Sequence, residues 1–122
     1  MRMMIWKGTP VDKRGRTEQY FFPFAKVLQG SDIILYGAGE VGKKYYQQIM
    51  RTKYCRIVSW ADRNFAELSA QGLSVEAPEA ALENQFDYIV IANVLDTIRE
   101  EIKSYLISRG VKAEAIVMGE EE

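Results

Sequence analysis

The chain has 122 residues, 48% of them hydrophobic and 27% charged, with a net charge of −1, which suits one globular domain with a core of its own and leaves no basic field for nucleic acid. One cysteine, Cys55, and no histidine exclude an internal disulfide, a His/Cys zinc site and imidazole acid–base catalysis. The apolar part of Met1–Gly8 is too short for a signal peptide, and no apolar run approaches the ~20 residues of a membrane span; a cytoplasmic protein without membrane insertion is expected.

Residues 1–16 read as irregular, broken by Gly8, Pro10 and Gly15. Tyr20–Leu28 is aromatic-rich, and Pro23 disfavours one continuous helix there. Two readings stay open for it, a cover for the sheet or an oligomer contact. Residues 1–30 are therefore taken as an N-terminal extension packing on the domain or on a partner copy, and residues 31–122 as the domain proper.

Ile33-Ile34-Leu35-Tyr36 is a short apolar run of the kind found in a strand buried on both faces. It runs straight into Gly37-Ala38-Gly39-Glu40-Val41-Gly42. Val41, Tyr45 and Ile49 follow at four-residue spacing, so Gly39 to about Thr52 is predicted as a helix with one buried face. Cys55–Ala61 reads as the second strand, Phe65–Ala70 as a short helical turn, Leu73–Val75 as a third strand, and Pro78 as the first turn of a brief helix. Asp87–Ala92 is the fourth strand. Thr97-Ile98-Arg99-Glu100 fits a capping box, Ile98, Ile102 and Leu106 continue with helical spacing, and Gly110 stands where a C-terminal glycine cap belongs. Ala115–Met118 is the last strand, and the polar tail Gly119–Glu122 is expected to fray.

Strands alternating with helices predict an α/β fold, a single Rossmann-like domain. Its parallel sheet should have about five strands in the order 3-2-1-4-5. In such a sheet ligands bind outside the carboxyl ends of the strands, where the order reverses. The glycine turn and Ala92-Asn93-Val94 both fall there.

Each motif glycine has a separate task. Gly37 turns the chain, Gly39 lets a pyrophosphate approach the backbone, and Gly42 lets the helix pack closely on the strand. Free N–H groups at the start of the helix favour an anion. Asp62, 25 residues past Gly37, ends the second strand, where a carboxylate accepts hydrogen bonds from ribose hydroxyls or caps a turn. Arg63 would attract a 2′-phosphate that Asp62 would repel. NAD is therefore the preferred cofactor, with NADP or a nucleotide-sugar as alternatives. The predicted contacts are Gly37, Ala38, Gly39, Glu40, Val41, Gly42, Asp62, Arg63 and Asn93. Asn93 reads equally as a turn residue. Lys43 and Lys44 read as solvated charges beside the site. No Gly-Lys-Ser/Thr follows the glycines and no Tyr-x-x-x-Lys occurs after the second strand, which removes a P-loop ATPase and a short-chain dehydrogenase. Cys55 reads as buried rather than nucleophilic, and Tyr36 as pointing into packed interior. No catalytic residue and no metal ligand is assigned.

Four stretches carry a resemblance: Phe22-Pro23-Phe24, Ile33 to Tyr46 with its glycine turn, Val58-Ser59-Trp60-Ala61-Asp62-Arg63-Asn64, and Phe86 to Ala92. Together they resemble the small Rossmann domains of bacterial surface-polysaccharide proteins, similar to the N-terminal nucleotide-binding part of nucleotide-sugar dehydratases and epimerase-like proteins. The resemblance spans roughly residues 20 to 118. It implies Gly37, Gly39, Gly42 and Asp62 as ligand contacts, and catalytic groups on a second domain for which this chain has no room. The expected function is a nucleotide-binding module. The alternative is a fragment or subunit of an NAD-dependent oxidoreductase, dehydratase or epimerase whose catalytic groups lie on a partner chain. A homodimer is also expected.

Overall fold

A computed structural model describes residues 20–119; the stretch 1–16 and the last residues of the polar tail lie outside them. Asp32–Tyr36 forms β1, Arg56–Ala61 β2, Tyr88–Ile91 β3 and Ile116–Met118 β4. All neighbours pair in parallel, in the order β2-β1-β3-β4. Ile33, Ile34 and Leu35 are essentially inaccessible, because helices cover both faces of a sheet built by such crossovers.

Glu40–Thr52 forms α1, and Val41, Tyr45 and Ile49 seal it onto one sheet face against Ile33, Leu35 and Val90. Lys53 ends it in the left-handed region at φ 54°, its N–H bonded to Ile49 O at 2.7 Å. Phe65–Ala70 forms α2, Pro78–Ala81 α3 and Asp96–Ser108 α4. Ile102 and Leu106 of α4 pack on the opposite face against Ile34, Ile89 and Ile91. Gly110, at φ +95°, closes α4 as expected. Val111 N–H reaches Leu106 O and Gly110 N–H reaches Ile107 O, both at 3.0 Å, the paired bonds of a Schellman turn.

Two local expectations are corrected. Leu73–Val75 is not a strand, so the sheet has four strands and not five. Only Glu76 meets β2, through a single parallel bridge to Ala61. Its N–H bonds Trp60 O at 2.9 Å and its carbonyl accepts from Asp62 N–H at 3.2 Å. The ladder stops there because Pro78, two residues on, has no N–H to donate and opens α3. The order of the remaining strands is the expected one with that member removed. The capping box at Thr97 is also absent. α4 begins two residues earlier, with Leu95 at its N-cap and no side-chain cap bond. Asn93 supplies the local turn instead, its Oδ1 accepting from Leu95 N–H at 2.9 Å.

The aromatic segment packs on its own chain. Phe22 N–H donates to Gln48 Oε1 at 2.7 Å, and Gln48 Nε2 donates to Tyr20 O at 2.7 Å. The Phe22 ring meets Tyr45 edge-on at 5.7 Å and Phe24 meets Tyr54 at 5.0 Å. The Tyr54 hydroxyl donates to Val27 O at 2.7 Å. Fully burying one large apolar side chain contributes roughly 1.5–3 kcal/mol, so this strap anchors the chain before β1. Among the described residues, no helix is long and apolar enough to cross a membrane.

Candidate functional site

A cleft of about 710 Å³ opens at the carboxyl ends of β1 and β3, where the strand order reverses. β1 delivers the glycine turn to it, β2 delivers Asp62 and Arg63, and the loop after β3 delivers Asn93. Gly37, Gly39, Glu40, Val41, Asp62, Arg63 and Asn93 all line it. Ala38 and Gly42 are not among its lining residues. Both are buried, and they shape the turn from behind.

The three glycines differ physically. Gly37 sits at φ +120°, and a Cβ there would come within 2.8 Å of Ala92 O. A Cβ on Gly42 would collide with the Gly37 carbonyl. Those two glycines are required by the fold. Gly39 is the exposed N-cap of α1 at φ −83°, and a Cβ there meets no protein atom within 4 Å. Nothing in the chain's own packing calls for glycine at that position. The first intrahelical bond is Lys43 N–H to Gly39 O at 2.9 Å. The N–H groups of Glu40, Val41 and Gly42 therefore precede the ladder, at the positive end of the helix dipole.

Asp62 fastens the turn. Its Oδ2 accepts from Ala38 N–H at 2.8 Å and its Oδ1 accepts from Asn64 N–H at 2.7 Å. The carboxylate thus orders the glycine loop and caps its own turn, and each oxygen keeps a lone pair for a further donor. Arg63 reaches across to Glu101 of α4, with Nη2 3.6 Å from Oε1 and both side chains largely exposed; such a pair contributes little by itself. Asn93 adopts the turn role through its side chain while facing the cleft. Its carbonyl accepts from Arg99 Nε at 2.6 Å, and Arg99 Nη2 also donates to Gly119 O at 2.7 Å. Arg99 therefore ties the loop after β3 to the end of β4.

Sequence reasoning gave Trp60 no part in the site, and for Tyr36 it read the packed interior but not the cleft. Trp60 Nε1 donates to Gly37 O at 2.7 Å, and Tyr46 stacks on its indole at 4.6 Å. Its partner lies 23 residues away, a distance at which local spacing carries no signal. Tyr36 is buried against Ile34 and Ile91 but also lines the cleft and an adjoining cavity of about 320 Å³. Burial pushes its phenol up to about 12, so it is a hydrogen-bond donor at neutral pH. Cys55 is buried, and its thiol is pushed up to about 11 by the same cause, as expected of an inert position. Among the described residues, no cluster of three or more histidine, cysteine or acidic side chains could hold a metal ion.

The cleft is thus lined by a backbone turn presenting N–H groups, two carboxylates and one guanidinium. That arrangement suits an anion held by main-chain donors rather than by side-chain cations. The chain belongs to the C2185-like N-terminal family, whose model matches residues 30–117. Searches of curated proteins and of solved structures found no match.

Proposed function

We propose that this member of the C2185-like N-terminal family is a nucleotide-binding module whose glycine turn holds the phosphates of a dinucleotide, NAD before NADP or a nucleotide-sugar. The observation that carries the reading is Gly39. It stands at the mouth of the cleft, at the start of a 13-residue helix, with open space where a side chain would project. A phosphate that must touch the backbone explains why that space is kept. Asp62, already anchored to Ala38 N–H, has acceptor capacity left for a ribose diol. Glu40 and Asp62 outnumber Arg63 in the lining, a balance that disfavours the extra charge of a 2′-phosphate.

In this reading the module is linked to nucleotide-sugar or surface-polysaccharide metabolism, works in the cytoplasm and acts through a partner chain. The family's description as an N-terminal domain favours a second form of the same reading, in which catalytic groups on another domain or chain use the bound nucleotide. Phe22 being buried within the chain itself, and Tyr20 and Phe24 partly so, a homodimer would draw mainly on other surface. Native mass spectrometry of the purified protein tests the proposal. A bound species with the mass of a nucleotide, released on unfolding, is expected. A bound species of any other chemistry would refute the reading.

A further inference from the structure

Three consecutive residues, Trp60, Ala61 and Asp62, hold the first step of the glycine turn. Gly37 N–H donates to Ala61 O at 2.7 Å. Gly37 O accepts from Trp60 Nε1 at 2.7 Å, and Ala38 N–H donates to Asp62 Oδ2 at 2.8 Å. The last two bonds grip opposite ends of one peptide plane, which moves as a rigid unit. Such a plane turns over when the dihedrals on either side of it rotate together, and the glycine on its N-terminal side resists that rotation least. Turned over, it would aim the Gly37 carbonyl at the Asp62 carboxylate, acceptor against acceptor. It would also leave the buried indole N–H of Trp60 without a partner, which is costly. The attitude of the indole is set in turn by Tyr46 of α1, whose ring stacks on it at 4.6 Å and 8°. One helix therefore carries both the ring that steadies the indole and the N–H groups at the mouth of the cleft. Ala38 is completely buried, so little slack separates the pinned plane from Gly39.

We infer that Trp60 is a positioning residue for the phosphate site: its indole N–H, opposite the Asp62 carboxylate, keeps the Gly37–Ala38 peptide in the attitude that presents Gly39 and the start of α1 to an anion. The inference rests on the nucleotide reading above and adds to it a residue that touches no ligand. Trp60 is not among the residues lining the cleft, so it acts through the turn. Without its N–H the free protein samples the turned-over plane. Apparent affinity then falls with the fraction of molecules left in the competent one.

The test replaces Trp60 by 3-benzothienylalanine, in which sulfur takes the place of the N–H while ring shape and stacking are kept. Calorimetry with NAD is expected to show affinity two- to tenfold below the parent, about what one hydrogen bond supplies. Relaxation dispersion of the backbone amides supplies a readout that a merely structural role would not move. In the ligand-free variant Ala38 and Gly39 should show microsecond-to-millisecond exchange that the parent lacks, and saturating NAD should suppress it. Trp60→Phe, which also lacks the donor but keeps a ring for Tyr46, should show the same exchange and the same weakening. Variants that bind NAD as the parent does overturn the inference and leave the nucleotide reading standing. Weakened binding with Ala38 and Gly39 quiet also overturns it, because the loss then arises outside the pinned plane. Failure of the parent to bind NAD overturns the nucleotide reading and the inference together.

Discussion

Replacing Gly39 by valine is expected to separate binding from folding. The residue sits at φ −83°, a conformation open to any L-residue, and an added Cβ meets no protein atom within 4 Å. The folded chain therefore loses only the quality of an N-cap, on the order of 1 kcal/mol. For a domain of this size that lowers the melting temperature by about 3–6 °C. The two valine methyl groups project into the cleft where the phosphate oxygens would lie. Each charge-assisted hydrogen bond lost there costs about 1.5–3 kcal/mol. One lost bond weakens NAD roughly ten- to a hundredfold, and two put binding out of calorimetric range. Thermal melting and NAD titration on the same preparation give both halves of the result. A valine variant that melts as expected but binds NAD within about threefold of the parent would refute the reasoning.

Gly42→Ala should do the opposite, since its Cβ collides with the Gly37 carbonyl. A stability loss of roughly 1–3 kcal/mol or more is expected in urea unfolding, and an unchanged midpoint would contradict the close packing of α1 on the turn. Asp62→Asn keeps one acceptor for the loop N–H groups and loses the charge. It should cost about 1 kcal/mol of stability, weaken NAD about tenfold and narrow the preference for NAD over NADP; equal effects on the two ligands would argue against a ribose role. Tyr36 makes the stability pH-dependent on the alkaline side. Its folded pKa of about 12 lies above the ordinary 10.0, so the neutral phenol stabilises the fold fully below pH 10 and that contribution is lost as the pH rises toward 12. The loss is at most about 1.4 kcal/mol per pH unit. Tyr36→Phe should flatten that part of the pH–stability curve, and parallel curves for the two proteins would contradict the burial of the hydroxyl.

What could be read from the sequence was what depends on near neighbours. The apolar run before the glycines, the four-residue spacing of Val41, Tyr45 and Ile49, and Gly110 after α4 each signal through residues within one or two turns. They gave a parallel α/β sheet with the strand order that is observed, less one member. Leu73–Val75 misled because strand-like composition does not reveal that Pro78 interrupts the ladder after one bridge. Thr97 misled because Asn93, upstream, had already set the start of α4. At the cleft, the backbone turn was legible and its supports were not. The Trp60 bond to Gly37 O, the Asp62 bond to Ala38 N–H and the Arg99 tie to Gly119 all join residues distant in sequence. Tyr36 was expected in packed interior because it ends an apolar run. It is packed there, and it also borders both cavities because β1 stops at that residue.

The central claim, that a dinucleotide binds across the glycine turn, is tested most directly by amide chemical-shift mapping of the isotope-labelled chain titrated with NAD. Saturable shifts are expected to concentrate at Gly37–Gly42, Asp62–Asn64 and Asn93–Leu95, the segments that meet at the cleft. Shifts confined to other faces of the domain, or none at millimolar NAD, would contradict it.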